Sequence, residues 1–125
     1  MTREDLAIEY KRSGCNCAQA VLMSYADKLE QEEETLKKLG SAFGAGMGTL
    51  DATCGALCGA QMVLGLAKFE GKNILPTAKL IHTEFKAVCH STHCGELKGI
   101  KTGTVLCSCE DCVKNAVKIV GKYLD

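Results

Sequence analysis

Apolar residues recur at helical spacing along nearly the whole chain, beginning with Leu6 and Tyr10 behind the cap signal Thr2-x-x-Asp5. A second stripe runs through Ala18, Val21, Leu22, Tyr25 and Leu29, and a third through Leu36, Leu39, Phe43 and Met47. Each keeps one face apolar over several turns, as an amphipathic helix does. Between them Glu30 and residues 32–34 form a run of acids, but Glu33 with Lys37 and Glu34 with Lys38 are ordinary solvated helix-face pairs. Residues 54–69 are apolar on nearly all sides, which predicts the helix that the others surround. Pro76 suits a first helical turn and opens a fifth stripe, Ile81, Phe85, Val88 and Cys89, which is expected to run until Gly95. The sixth starts behind Ser108-x-x-Asp111 and continues through Val113, Ala116, Val117, Val120 and Leu124. Only residues 100–106 alternate like a strand, and a lone strand has no partner. The expected fold is therefore all-α, a compact bundle of five or six helices around a central apolar helix. Without internal repeats or a long linker, residues 1–125 read as a single domain.

Charge removes several functional classes. Fifteen basic and fifteen acidic side chains cancel, and no Lys/Arg stripe alternates with aromatics, so no nucleic-acid partner is expected. The longest apolar run, residues 54–67, contains Gln61 and is too short to span a bilayer, so no membrane insertion is expected. The first residues carry charges with no apolar stretch behind them, which reads as a cytoplasmic protein without a signal peptide. In that compartment thiols stay reduced, so nine cysteines point to redox, catalytic or metal chemistry rather than to disulfide staples.

The cysteines differ in placement. Asn16 precedes Cys17, Thr53 precedes Cys54 and Ser108 precedes Cys109, each a residue suited to cap a helix. A cysteine in a first helical turn meets unpaired N–H groups and the positive end of the dipole, which favour the thiolate. Cys54 is thus expected to titrate below an ordinary thiol, with Thr53 as its cap. Glu110 and Asp111 should oppose the same effect at Cys109. Cys54 and Cys58, four apart, are too distant for a disulfide on one helix but could share a metal. Cys109-x-x-Cys112 has the spacing of a reversible dithiol, without the thioredoxin-like βαβ setting. Cys89, His90, His93 and Cys94 gather four ligand types, but the spacing is not that of a zinc finger, and the two histidines read as solvated or capping groups. His82, beside the apolar face, reads as structural. Gly44-Ala45-Gly46-Met47-Gly48 follows a helix and lacks a phosphate-loop ending; with Gly40, Gly55 and Gly59 it reads as a device for tight turns and close helix approach.

Taken together the motifs resemble the C_GCAxxG_C_C family of putative redox-active proteins over nearly the whole chain. Asn16-Cys17-Ala18-Gln19-Ala20-Val21 is similar to its first cysteine motif, and Cys54-Gly55-Ala56-Leu57-Cys58-Gly59 to its central one. Cys94-Gly95-Glu96-Leu97-Lys98-Gly99 resembles the third, and Cys109 the fourth. The resemblance implies that Cys17, Cys54, Cys94 and Cys109 are the functional set and that Cys15, Cys58, Cys89, Cys107 and Cys112 are additions. Two departures touch the fourth position: the stretch from Gly99 to Cys107 is shorter than is usual in the family, and Cys112 offers Cys109 another partner. Two chemistries stay open. The first is thiol/disulfide exchange or electron transfer with a redox partner protein, with Cys17 or Cys54 as attacking thiolate. The second uses the same four cysteines as ligands of an iron–sulfur cluster or zinc. A structural bundle with incidental cysteines is the third reading. Either chemistry requires the four to converge, and Cys94 is expected to be disfavoured as a thiolate by lying where its helix ends.

Overall fold

A computed structural model describes residues 1–124; residue 125, the last of the expected domain, lies outside the described part. Helix α1 spans Arg3–Arg12, where Thr2 Oγ1 accepts from the Asp5 N–H at 3.1 Å and the Asp5 carboxylate accepts from the Thr2 N–H at 3.2 Å. The same reciprocal cap opens α2, Cys17–Ser24. Asn16 accepts from the Gln19 N–H at 2.8 Å and Gln19 Oε1 from the Asn16 N–H at 2.9 Å. Asn16 also donates to the carbonyls of Gly40 and Ser41, and Gln19 to that of Lys37, so one cap fastens two helix ends.

The second predicted stripe is broken into two helices. At Tyr25 the backbone leaves the helical region (φ −111°, ψ 10°), while the Tyr25 hydroxyl donates to the Val117 carbonyl at 2.8 Å. A short α3, Ala26–Leu29, follows and ends at Glu30 in the left-handed conformation. The third stripe is overturned beyond α4, Glu33–Gly40. The Gly40 carbonyl closes a tighter turn with the Phe43 N–H and is shared with Asn16, which also reaches Ser41, and a tight π-type turn over Gly46–Leu50 follows, with Ala45, Met47 and Leu50 at positive φ. Leu39 and Met47, expected on the apolar face, are exposed.

Helix α5, Gly55–Lys68, is central: it packs against α2, α3, α6 (Leu75–Cys89) and α8 (Cys109–Gly121), burying Ala56, Leu57, Ala60, Val63 and Leu64. Close approach to α2 requires Gly59, where an added Cβ would lie 2.7 Å from the Ala18 carbonyl oxygen. Pro76 sits in the first turn of α6, as expected, but that helix stops at Cys89, with His90 left-handed at its end. A separate short helix, α7, then spans Cys94–Lys98. The strand-like alternation of residues 100–106 forms no strand. Its backbone folds back onto α7 instead, through Ile100 N–H to the Gly95 carbonyl and Leu106 N–H to the Leu97 carbonyl, and Ile100, Val105 and Leu106 stay exposed. The fold is all-α, and the sole β pairing among the described residues is one antiparallel bridge between Thr53 and His93. No described helix is long and apolar enough to cross a membrane.

Candidate functional site

Each of the four cysteines singled out by motif stands at the start of a helix. Cys17, Cys94 and Cys109 are the first residues of α2, α7 and α8, and Cys54 is the residue that caps α5. Local chemistry places them. Asn16 caps α2, Ser108 accepts from the Asp111 N–H at 3.1 Å to cap α8, and His93 Nδ1 accepts from the Glu96 N–H to cap α7. The bridge ties the starts of α5 and α7 together, the Cys54 N–H donating to the Thr92 carbonyl at 2.7 Å and the Cys94 N–H to the Ala52 carbonyl at 2.9 Å. Close backbone approach completes the arrangement at Gly46, where an added Cβ would come within 2.8 Å of Cys94 Cβ.

All four line one narrow cavity of about 20 Å³, with Lys98, Leu97, Cys107 and Cys112 in its walls. That volume admits a single water-sized occupant. Beside it lies an open groove of about 510 Å³ lined by Lys11, Asn16, Met47, Lys98, Cys17 and Cys109. Cys17 and Cys109 therefore border both spaces, whereas Cys54 and Cys94 border the inner one.

The sulfurs are electrostatically unequal. Cys109 is pulled down to about 5, first because the Cys17 thiol donates to it, then because Lys98 and Lys11 face it, all against the opposing effect of burial. Cys17 is correspondingly pushed up, since it keeps the proton that it shares with Cys109 and is buried. The acidic neighbours expected to oppose ionisation of Cys109 do not prevail over Cys17 and the two lysines, and Glu110 is turned to Arg12 through two bonds of 2.9 Å. Cys54 is shifted down, as expected, by the Cys112 thiol first and then, against burial, by the expected helix-start N–H groups, those of Ala56 and Leu57. Thr53 is not its cap. Neither amide reaches full hydrogen-bond geometry with the sulfur, and their partial charges favour the thiolate from the open end of α5. Cys94 is pushed up by burial and not by a helix C-terminus, since it opens α7 rather than closing α6.

The other sequence candidates separate. Cys58 faces a different surface groove, with Phe43, Gln61 and His82, so it does not share a site with Cys54. Cys15 packs partly buried against the core. Cys109 and Cys112 both reach the cavity, yet Cys109 meets Cys17 while Cys112 meets Cys54, so the Cys-x-x-Cys spacing does not define the sulfur pairs. The run from Cys89 to Cys94 holds no common ligand set. His90 ends α6, His93 caps α7 and contacts Asp51 at 3.1 Å, and Cys94 turns to the cavity. Cys89 joins Cys107 and Cys112 instead, with all three sulfurs within 4.8 Å of one another. Sequence reasoning missed that trio, because its members are separated by loop and helix, and it missed Lys98, whose only signal was its place one turn after Cys94.

The chain is thus an all-α, cysteine-rich bundle that brings cysteines from four helix starts around one cavity. The chain belongs to the C_GCAxxG_C_C family, described as "putative redox-active protein", whose pattern matches residues 15–123. No curated protein and no solved structure matches it.

Proposed function

We propose that the protein performs thiol/disulfide exchange with Cys109 as the attacking thiolate and Cys17 as its resolving partner. The observation that carries this is that Cys109 and Cys17 alone of the four border both the cavity and the open groove, with Cys109 shifted toward the thiolate and Cys17 toward the thiol. The Cys109 thiolate attacks one sulfur of a partner disulfide, forming a mixed disulfide and releasing the other partner sulfur as a thiolate. Cys17 then gives up its proton to solvent, and its sulfur attacks Cys109 Sγ and expels the second partner thiolate. The protein leaves oxidised by two electrons, with a Cys17–Cys109 disulfide, and the partner leaves as a dithiol. Lys98 and Lys11 hold the nucleophile ionised, while Cys54 and Cys94 complete the inner wall. The direction of attack differs from the sequence expectation, because Cys17 is the proton donor of its pair.

The second reading is a metal centre on the same four cysteines, supported by their common cavity. A single zinc ion suits four thiolates and a space of that size, whereas an iron–sulfur cluster would have to push the walls apart. The test is trapping. Reduced protein incubated with a disulfide substrate should lose exchange activity entirely as Cys109→Ser and should accumulate a mixed disulfide at Cys109 as Cys17→Ser. Full turnover by Cys109→Ser would overturn the assignment.

A further inference from the structure

Cys89 ends α6, Cys107 lies in the loop before α8 and Cys112 is in the first turn of α8, yet their sulfurs lie within 4.8 Å of one another. We infer that these three cysteines form a second site, sharing a wall with the exchange cavity, which binds one thiophilic closed-shell metal ion, Cu⁺ or Zn²⁺. Metal–sulfur bonds of about 2.3 Å put three ligand sulfurs about 4 Å apart, so binding needs only a small inward movement. The donor set is all sulfur, which selects Cu⁺ and Zn²⁺ over hard ions such as Mg²⁺ or Ca²⁺.

The surroundings suit a ligand site. Cys89 and Cys112 are buried, and Cys107 is half-buried and borders the cavity, which supplies an entry path. Asn115 Nδ2 donates to Cys89 Sγ at 3.4 Å and orients that sulfur from behind, as outer-shell groups do at metal centres. The Cys112 thiol points its proton at the Cys107 carbonyl at 3.8 Å, and metal entry displaces that proton as the sulfur turns to the ion. Three sulfurs satisfy Cu⁺. Zn²⁺ takes a fourth ligand, and Cys54, which lines the same cavity as Cys107 and Cys112, is placed to supply it.

Titration of the reduced, anaerobic full chain with Cu⁺ and separately with Zn²⁺, each against a chromophoric chelator, tests the site. The triple variant Cys17→Ser, Cys94→Ser, Cys109→Ser should keep one tight equivalent, and the double variant Cys89→Ser, Cys107→Ser should lose at least tenfold in affinity. Adding Cys54→Ser separates the ions, weakening Zn²⁺ and leaving Cu⁺ unchanged. Alkylation mapping of the metal-loaded wild type guards against a misfolded variant: Cys89, Cys107 and Cys112 should be protected while Cys109 still reacts. Loss of metal from the triple variant with retention in the double variant would overturn the inference, as would failure of the wild type to hold either ion. Neither result bears on exchange at Cys109, which the serine traps read separately.

Discussion

At Cys109 the useful property is a charge balance made by three neighbours from different parts of the chain. Cys17 donates a hydrogen bond, and Lys98 and Lys11 supply positive charge. Because the thiolate is the reactive form, alkylation of Cys109 should fall as pH drops through about 5 and stay flat from there to neutrality. The rate profile, read by peptide mass spectrometry, checks this, and a midpoint near the ordinary thiol value would remove the nucleophile. Lys98→Met should move the midpoint up by about one unit, whereas Lys98→Arg should leave it nearly in place. An unchanged midpoint in Lys98→Met would show that the charge of Lys98 does not act on the sulfur.

Helix starts are the elements that matter, and they divide into capped and uncapped. Asn16 accepts from the Gln19 N–H and donates to two carbonyls at the end of α4. Asn16→Ala should therefore cost about 2 kcal/mol, the upper range for a lost cap, in chemical denaturation. Thr53→Ala should cost far less, because Thr53 caps nothing and contributes through backbone pairing alone. Equal losses for the two variants would contradict the observed start of α5. Gly59→Ala tests the packing of α5 on α2. Its methyl group would sit 2.7 Å from the Ala18 carbonyl oxygen, so the helices must separate, at about 1–3 kcal/mol. A neutral Gly59→Ala would mean that this interface is looser than the contact implies.

For the molecule as a whole, a Cys17–Cys109 disulfide would join α2 to α8 and close most of the chain into one loop. Closing a loop on the order of 90 residues restricts the unfolded chain and stabilises the folded one by up to about 4 kcal/mol, less any strain. The oxidised protein should therefore unfold at a higher denaturant concentration than the reduced one, and Cys17→Ser should abolish the difference. A reduced form as stable as the oxidised one would argue against that pairing.

Much of this was legible in the chain because it is local. The caps at Thr2, Asn16 and Ser108, the first-turn Pro76 and the apolar girth of residues 54–69 each depend on neighbours within a few positions, so periodicity and cap chemistry predicted α1, α2, α5 and α8. The family resemblance, rather than spacing alone, picked out Cys17, Cys54, Cys94 and Cys109, which border one cavity. Tertiary structure decided what apolar spacing cannot encode. The stripe through Met47 breaks where Asn16, far back in sequence, fastens the Gly40 and Ser41 carbonyls and the chain tightens into a Gly40–Phe43 turn, and α7 is a new helix because the Thr53–His93 bridge turns the chain before Cys94. Which sulfur carries the proton was also decided in three dimensions. Cys17, Lys98 and Lys11 come from distant segments to favour the Cys109 thiolate, whereas the acids beside it in sequence argued the opposite. Hydrogen bonds within a turn follow from sequence spacing; electrostatic fields and sulfur–sulfur contacts depend on distance through the fold, and that distance exists only once the helices have packed.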